Sequence, residues 1–235
     1  MLAITNHTFP LDAEEMLGSF GHRTLRLPPH PGLPKQVSSH PDMLLFFAKD
    51  AIFCTKSYYE IATDELNEIA NVYGAPIRFI QKEYENTYPN DVPLNALPFA
   101  NCLFCNTQTV TDELLNLGLE PCHVNQGYTK CSALPLGDRA IITADASIAK
   151  CAKEQGIDVL QIQAGHISLP GYDYGFIGGC ASFAVRGSLD AVFFAGDISQ
   201  HPDYAKIDHF CQSYGFEIIN LSNAPLCDVG TIFMI

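Results

Sequence analysis

The sequence predicts an α/β protein in which five copies of one unit close into a ring. Each copy reads as a short apolar strand, a polar corner, a helix, a glycine and a second apolar strand. The copies begin at Leu2, Ala51, Cys102, Ala140 and Ala191. Each predicted helix ends at a glycine, which adopts the left-handed backbone conformation without steric cost. These glycines are Gly21, Gly74, Gly118, Gly156 and Gly215. Five equivalent helix ends indicate an internal repeat.

A further apolar strand accompanies each copy, and we call these five segments the leading strands. They are predicted to begin at Asp42, Val92, Thr129, Gly175 and Asp228. No helix follows the last of them, and no leading strand precedes the copy at Leu2. We therefore expect the carboxyl-terminal strand to pair beside the amino-terminal one. This pairing closes a ring with pseudo-five-fold symmetry and removes the sheet edges that an open array would expose.

Composition is typical of one globular domain, and we expect residues 1–235 to form it. The chain is 47% hydrophobic and 17% charged, which supplies a core and excludes disorder. No apolar run is long enough to span a membrane, and the start of the sequence lacks a signal peptide, so we expect a cytoplasmic protein. A net charge of −13 excludes nucleic acid as a partner and is compatible with a small cationic ligand.

The nine cysteines are interpreted mainly as reduced core residues, because the count is odd and most lie in apolar segments. This applies to Cys54, Cys102, Cys105, Cys151 and Cys211. Cys102 and Cys105 form a C-x-x-C, but on a strand this spacing points the two thiols to opposite faces. A zinc or redox role is therefore disfavoured. No metal-binding or nucleotide-binding motif is found, and no cofactor is implied.

Polar residues cluster at the starts of the leading strands, which lie nearest the axis of such a ring. They are His40, Asp42, Asp91, Asn95, Gln126, Thr129, Lys130, Cys131, Gly178, Gly179, Cys180, Cys227 and Asp228. We expect them to converge on one central cavity. Thiol, imidazole, carboxylate and ammonium groups together are typical of nucleophilic catalysis.

Within this set we predict Cys131 as the nucleophile, because the charge of the adjacent Lys130 would lower the thiol pKa. His40 and Asp42 are predicted to orient substrate or move protons. The predicted substrate-binding residues are Asn95, Gln126, Asp228, Cys180 and His166. Three of the candidates have an alternative interpretation. Cys131 is also consistent with a small buried strand residue, and Asn95 with a member of a structural network. His166 is also consistent with a loop residue that packs on the ring with Tyr172 and Tyr174.

Several stretches resemble the pentein superfamily of guanidino-group-modifying enzymes, in particular a bacterial branch of it. These stretches are SHPDMLLF, NQGYTKCS, LPGYDYGFIGG, FFAGDI and PLCDVGTIF, and the resemblance covers essentially the whole chain. It implies a five-bladed pentein-type α/β-propeller. It also implies chemistry in which a cysteine attacks the guanidinium carbon, a histidine shuttles protons and carboxylates grip the guanidinium nitrogens.

The chain departs from this family in the order of its candidate residues. The family's cysteine lies near the carboxyl end, with the histidine about one module before it, whereas His40 comes early in this chain. Cys227 lies near the carboxyl end but is followed by Asp228 in what reads as a strand-closing turn. Two functions stay open: an enzyme acting on a small amidino or guanidino compound, and a non-catalytic binding or scaffold protein. A thiol within hydrogen-bond reach of a histidine or carboxylate in a central cavity favours the enzyme. The sequence leaves the substrate and the oligomeric state open.

Overall fold

The computed structural model describes residues 1–186 and 189–235, and this part of the chain contains five three-stranded sheets. Each sheet has a middle strand that is parallel to a trailing strand and antiparallel to a leading strand. The sheets, written as leading, middle and trailing strand, are β15 (Phe233–Met234), β1 (Leu2–Asn6) and β2 (Arg23–Leu27); β3 (Phe46–Ala48), β4 (Ala51–Thr55) and β5 (Ile77–Ile80); β6 (Leu97–Phe99), β7 (Cys102–Cys105) and β8 (Glu120–His123); β9 (Ala133–Leu136), β10 (Ala140–Thr143) and β11 (Asp158–Gln161); β12 (Ala181–Arg186), β13 (Leu189–Phe194) and β14 (Phe216–Asn220).

Helices connect the middle strand of each sheet to its trailing strand. They are α1 (Leu11–Ser19), α3 (Lys56–Ile61) with α4 (Thr63–Tyr73), α5 (Asp112–Leu115), α7 (Ala146–Glu154), and α8 (Tyr204–Ser213) after a 3-10 turn (Ile198–Gln200). All five glycines predicted to end these helices have φ between 74° and 81°. After α4, for example, Gly74 has φ 78° and its N–H donates to the Ala70 carbonyl, which ends the helix. Five sheets with helices between their middle and trailing strands fit the propeller-like arrangement predicted from the sequence.

The ring is closed by the two chain ends, as the repeat count predicts. Strand β15 is antiparallel to β1, with Ala3 opposite Met234 and Ile4 opposite Phe233. The Leu2 N–H donates to the Ile235 carbonyl at 2.7 Å, and the Ile235 N–H donates back to the Leu2 carbonyl at 2.9 Å. The carboxyl-terminal strand is therefore part of the first sheet.

The leading strands are shorter than the sequence predicts, because their polar starts form turns. Pro41–Leu44 is a single helical turn, α2, and Thr129–Ser132 is another, α6. Proline at the first position of α2 has the fixed φ that a helix start requires. The extended structure begins only after these turns, at Phe46 and Ala133. Asp42, Lys130 and Cys131 therefore lie on turns that precede the strands, and His40 immediately precedes the first of these turns.

The core lies between the sheets and the helices, and the middle strands are its most buried elements. On β7 the two thiols of the C-x-x-C separate as predicted: Cys102 packs in one apolar cluster with Phe104, and Cys105 in another with Leu103. All nine cysteines are unpaired. Cys151 is half-buried rather than buried, since it lies on α7, a helix whose buried face is formed by other residues. No helix within residues 1–186 and 189–235 is long and apolar enough to cross a bilayer.

Candidate functional site

The turns before the leading strands meet in a buried polar layer that is centred on Asp42. Asp42 is 1% exposed, and its Oδ2 accepts hydrogen bonds from the Cys131 thiol at 3.0 Å and from the Thr231 hydroxyl at 2.8 Å. These three residues come from α2, from α6 and from the segment that leads into β15. Turns of three different sheets therefore converge on one carboxylate.

Asn95 holds α6 and the thiol in place. Its amide Nδ2 donates to Cys131 Sγ at 3.1 Å and to the Asp42 carbonyl at 3.1 Å. Its Oδ1 accepts from the Lys130 N–H at 2.8 Å. Because Asn95 is 1% exposed, its polar atoms need protein partners, and the layer supplies them. Asn95 thus has the structural role that the sequence analysis left open, while it also touches the candidate nucleophile.

The Lys130 side chain contacts Thr231 and Phe233, which belong to the carboxyl-terminal segment that forms β15. Its ammonium donates to the Thr231 hydroxyl at 3.0 Å and lies 5.6 Å from the centre of the Phe233 ring. Burial lowers the Lys130 pKa, and the nearby Asp42 carboxylate works against that shift. The Thr231 hydroxyl accepts from Lys130 and lies 2.8 Å from Asp42 Oδ2 and 2.7 Å from the Gly178 carbonyl oxygen, so it links the ammonium to the carboxylate.

Asp228 and His40 form the second part of the layer. Asp228 accepts from the Phe176 N–H at 2.8 Å and the Gly230 N–H at 2.9 Å, and its Oδ1 lies 3.8 Å from His40 Nδ1. Burial, with the negative charge of Asp42 adding to it, raises the Asp228 pKa from 3.8 to about 7. Burial lowers the His40 pKa from 6.5 to about 4, against the opposing effect of Asp42. At neutral pH the imidazole is therefore uncharged, and Asp228 titrates far closer to neutral pH than an exposed carboxyl does.

Two glycines make this close packing possible. A Cβ on Gly179 would lie 2.1 Å from Asp228 Oδ1, and a Cβ on Gly230 would lie 2.2 Å from His40 Cβ. No side chain fits at either position. The glycine pair at 178 and 179 permits a close approach of the backbone to the site.

The thiol of Cys131 differs from the sequence prediction in its pKa. The expectation that Lys130 lowers this pKa is wrong: burial raises it well above 9.0, and the charges of Asp42 and Asp228 raise it further. The thiol donates its proton to Asp42 Oδ2 rather than losing it. The physical reason is that the two carboxylates and the low-dielectric surroundings outweigh one lysine whose ammonium is bonded to Thr231.

The Cys131 side chain also lines a cavity of about 210 Å³. Its walls include Cys131, His40 and Asp228, together with aromatic rings from Tyr128, Tyr172 and Phe176. The Tyr128 ring is stacked on Phe176, with ring centres 6.1 Å apart. The Tyr128 hydroxyl donates to Asp91 Oδ2 at 2.6 Å, and burial raises the Asp91 pKa. Carboxylates and aromatic faces around a thiol form a pocket that suits a small organic cation.

Three predicted binding residues lie outside this layer. The Gln126 side chain lies 3.5 Å from Asp145 Oδ2, at the edge of a separate cavity of about 70 Å³. Cys180 is packed in an apolar cluster, and its thiol bonds the Ile177 carbonyl at 3.4 Å. His166 is exposed, and its ring lies 5.3 Å from that of His201.

Sequence reasoning missed Thr231 and Tyr128, and it left the loop tyrosines undecided. Thr231 is a polar residue in an otherwise apolar terminal segment, and it has φ 72°, which is rare for a residue other than glycine. That polarity was the available signal. Tyr172 and Tyr174 both line the 210 Å³ cavity, so the loop that carries them covers the pocket.

Comparisons with known proteins agree with this architecture. The model of a family described as "Family of unknown function (DUF6873)" matches residues 4–233. No curated protein sequence matches the chain. Among solved structures, the DDAH of Pseudomonas aeruginosa, as a mutant complexed with citrulline, is similar with a TM-score of 0.55 at 10% identity, covering 94% of this chain and 92% of that one.

Two further solved structures are similar. SxtG, an amidinotransferase from Microseira wollei in the saxitoxin biosynthetic pathway, has a TM-score of 0.53 at 13% identity and covers 94% of this chain and 79% of that one. The C. jejuni agmatine deiminase has a TM-score of 0.50 at 9% identity and covers 94% and 87%. The five-bladed pentein fold predicted from the sequence is confirmed by these likenesses, which at such identities concern the fold alone.

Proposed function

The chain belongs to the family of unknown function (DUF6873), and we propose that it is a cysteine-dependent hydrolase or transferase acting on a small amidino or guanidino compound. One observation carries this proposal: Cys131 Sγ donates to Asp42 Oδ2 at 3.0 Å at the wall of a cavity. A nucleophile within hydrogen-bond reach of a base is the arrangement that covalent catalysis needs. The similar pentein structures, which include an amidinotransferase and an agmatine deiminase, support the choice of substrate class.

The 210 Å³ cavity suits the proposed cation. The Tyr128, Tyr172 and Phe176 rings offer π faces, and Asp228 offers a carboxylate next to the thiol. A guanidinium is planar and donates hydrogen bonds along its edges, so it pairs with a carboxylate while it lies against a ring. The substrate would therefore place its central carbon over Cys131.

Substrate binding is also what would activate the thiol. In the free protein burial and two carboxylates keep Cys131 protonated. A bound cation next to Sγ offsets both effects, and the thiol proton then passes along its hydrogen bond to Asp42 Oδ2. The thiolate attacks the amidino carbon to form a C–S bond. Because the bound cation keeps Asp228 ionised, the leaving amine takes the proton that Asp42 received from the thiol when the C–N bond breaks.

Water or a second amine then attacks the amidino carbon and breaks the C–S bond, which releases the Cys131 thiolate, and the proton taken from the attacking group restores the thiol. His40 lies 3.8 Å from Asp228 and is uncharged at neutral pH, so it can accept a proton from that attacking group. The unpaired state of all nine cysteines supports a reducing, cytoplasmic setting for this chemistry.

A non-catalytic binding protein is the second candidate. The observation that favours it is that His40 pairs with Asp228 and not with the thiol, which the free protein holds in its unreactive form. Such a protein would bind the same cation in the same cavity and leave its bonds intact.

The test measures binding and turnover with guanidine, agmatine and arginine as probes, in the parent protein and in Cys131→Ser. The matched control is Cys180→Ser, because Cys180 is equally buried but does not line the cavity. An enzyme releases amine or ammonia, forms a mass-detectable adduct at Cys131, and loses turnover only in Cys131→Ser. Binding without turnover, equal in both variants, supports the binding protein. Absence of both binding and turnover for all three probes contradicts the cation site itself.

A further inference from the structure

A second and larger cavity lies along the leading strands, on the far side of the polar layer from the first. Its volume is about 440 Å³, and it is lined by residues from all five leading strands, among them Phe46, Leu97, Leu134, Phe183 and Phe233. It shares no lining residue with the 210 Å³ cavity. A volume in this range is that of a small-molecule site.

The inner end of this cavity is polar, and its polar groups are incompletely paired. Lys130, Asp42 and Thr231 all line it. Asp42 Oδ2 has two donors, but within the part of the chain that the structure describes its Oδ1 is buried without a hydrogen-bond partner. An ammonium carries three donors, and the hydrogen bond from Lys130 Nζ to Thr231 uses one. A buried carboxylate oxygen without a donor is costly, so a ligand that supplies one is stabilised there.

The charged side chains at the polar end of this cavity determine which polar group a ligand can place there. Among the lining side chains that the structure describes, Lys130 is the single basic one and Asp42 the single acidic one. A ligand carboxylate would be attracted by Lys130 but repelled by Asp42. A ligand ammonium would be attracted by Asp42 but repelled by Lys130. A neutral primary amide avoids both conflicts, because its carbonyl accepts from the ammonium while its N–H donates to the carboxylate.

We propose that this cavity is a second ligand site, specific for a small apolar molecule that ends in a primary amide. The amide binds between Lys130 and Asp42, and the hydrocarbon body packs against the Phe46, Phe183 and Phe233 rings of the leading strands. The site is distinct from the proposed cation pocket, and it does not depend on whether Cys131 is catalytic.

The experiment is calorimetric titration with hexanamide, hexanoate and hexylamine, which share one hydrocarbon chain and differ in the polar end. We expect hexanamide to bind about 10-fold more tightly than either charged analogue, which corresponds to one net hydrogen bond. Lys130→Met should weaken hexanamide binding by a similar factor. Lys35→Met, which removes an exposed lysine outside the cavity, should leave the affinity unchanged.

Ser182→Leu provides an independent check that does not touch the polar layer. Ser182 lines the cavity, so a leucine there fills space that the ligand needs and should abolish binding even if Lys130→Met does not fold. Saturating guanidine should not displace hexanamide, because the two cavities are separate. The proposal is overturned if hexanamide does not bind the parent protein, if either charged analogue binds as tightly, or if Ser182→Leu binds hexanamide unchanged.

Discussion

Removing the carboxyl-terminal residues 232–235 should destabilise the whole ring. Ile232 is 0% exposed and packs in a cluster with Ala3 and Leu17, so loss of its side chain alone costs about 2–5 kcal/mol. The two backbone hydrogen bonds between Leu2 and Ile235 contribute roughly 1 kcal/mol each. The Phe233 ring, whose centre lies 4.8 Å from that of Phe47, is lost as well.

The deletion therefore removes on the order of 5 kcal/mol, which is a large share of the roughly 5–15 kcal/mol that stabilises a typical domain. For a chain of this size each kcal/mol corresponds to about 2–4 °C in the melting temperature, so we expect a decrease of roughly 10–20 °C. Thermal and urea unfolding, followed by far-ultraviolet circular dichroism, measure both quantities. Most terminal truncations cost far less, because chain ends are commonly frayed.

A pair of proline variants isolates the closing hydrogen bonds from the side chains. Ile235 donates its N–H to Leu2, whereas Met234 lies opposite Ala3 at a position where no hydrogen bond to β1 is made. Ile235→Pro should therefore lower stability more than Met234→Pro. Equal melting temperatures for the full-length and truncated proteins, or a larger loss in Met234→Pro, would refute the reasoning that the two chain ends close the ring.

Further predictions concern the layer at the axis. Gly230→Ala should lower the free energy of unfolding by more than ~3 kcal/mol, because the new Cβ would lie 2.2 Å from His40 Cβ. Gly156 has a similar φ of 74° but no atom within 4 Å of a new Cβ, so Gly156→Ala should cost only the ~1–2 kcal/mol of left-handed backbone strain. The urea unfolding midpoints of the two variants test this difference. Between about pH 4 and 7 folded Asp228 holds a proton that the unfolded chain releases, so this group makes the free energy of unfolding fall as pH rises. Between about pH 4 and 6.5 His40 does the opposite, since the unfolded chain holds the extra proton. Relative to the parent, His40→Gln should therefore lose stability as pH rises from 4 to 6.5, and Asp228→Asn should gain stability as pH rises from 4 to 7. Urea unfolding at several pH values would contradict this if both variants kept the parent's pH profile.

The free-energy cost of burying charge explains why the Cys131 pKa is raised where the sequence predicted that it is lowered. From the sequence, Lys130 adjacent to Cys131 indicates an activated thiol, because neighbours in the chain are the only ones visible. In the folded ring the nearest partners of the thiol are Asp42, which lies 89 residues away in sequence, and Asn95, which lies 36 away. The effects of Asp42, Asn95 and burial on the Cys131 pKa depend on distances that only the tertiary structure determines.

The sequence by itself determined the five-bladed fold, the pairing of the two chain ends and the convergence of His40, Asp42 and Asn95 with Lys130, Cys131 and Asp228. These follow from local rules, since hydrophobic period, helix-ending glycines and the count of strands act within one unit or between adjacent units. Only the tertiary structure decided that these residues lie on turns and that Thr231 joins them. It also decided that the polar layer separates two cavities and that the thiol stays protonated. Those properties arise from contacts between turns of different sheets, whose positions are fixed by packing around the axis.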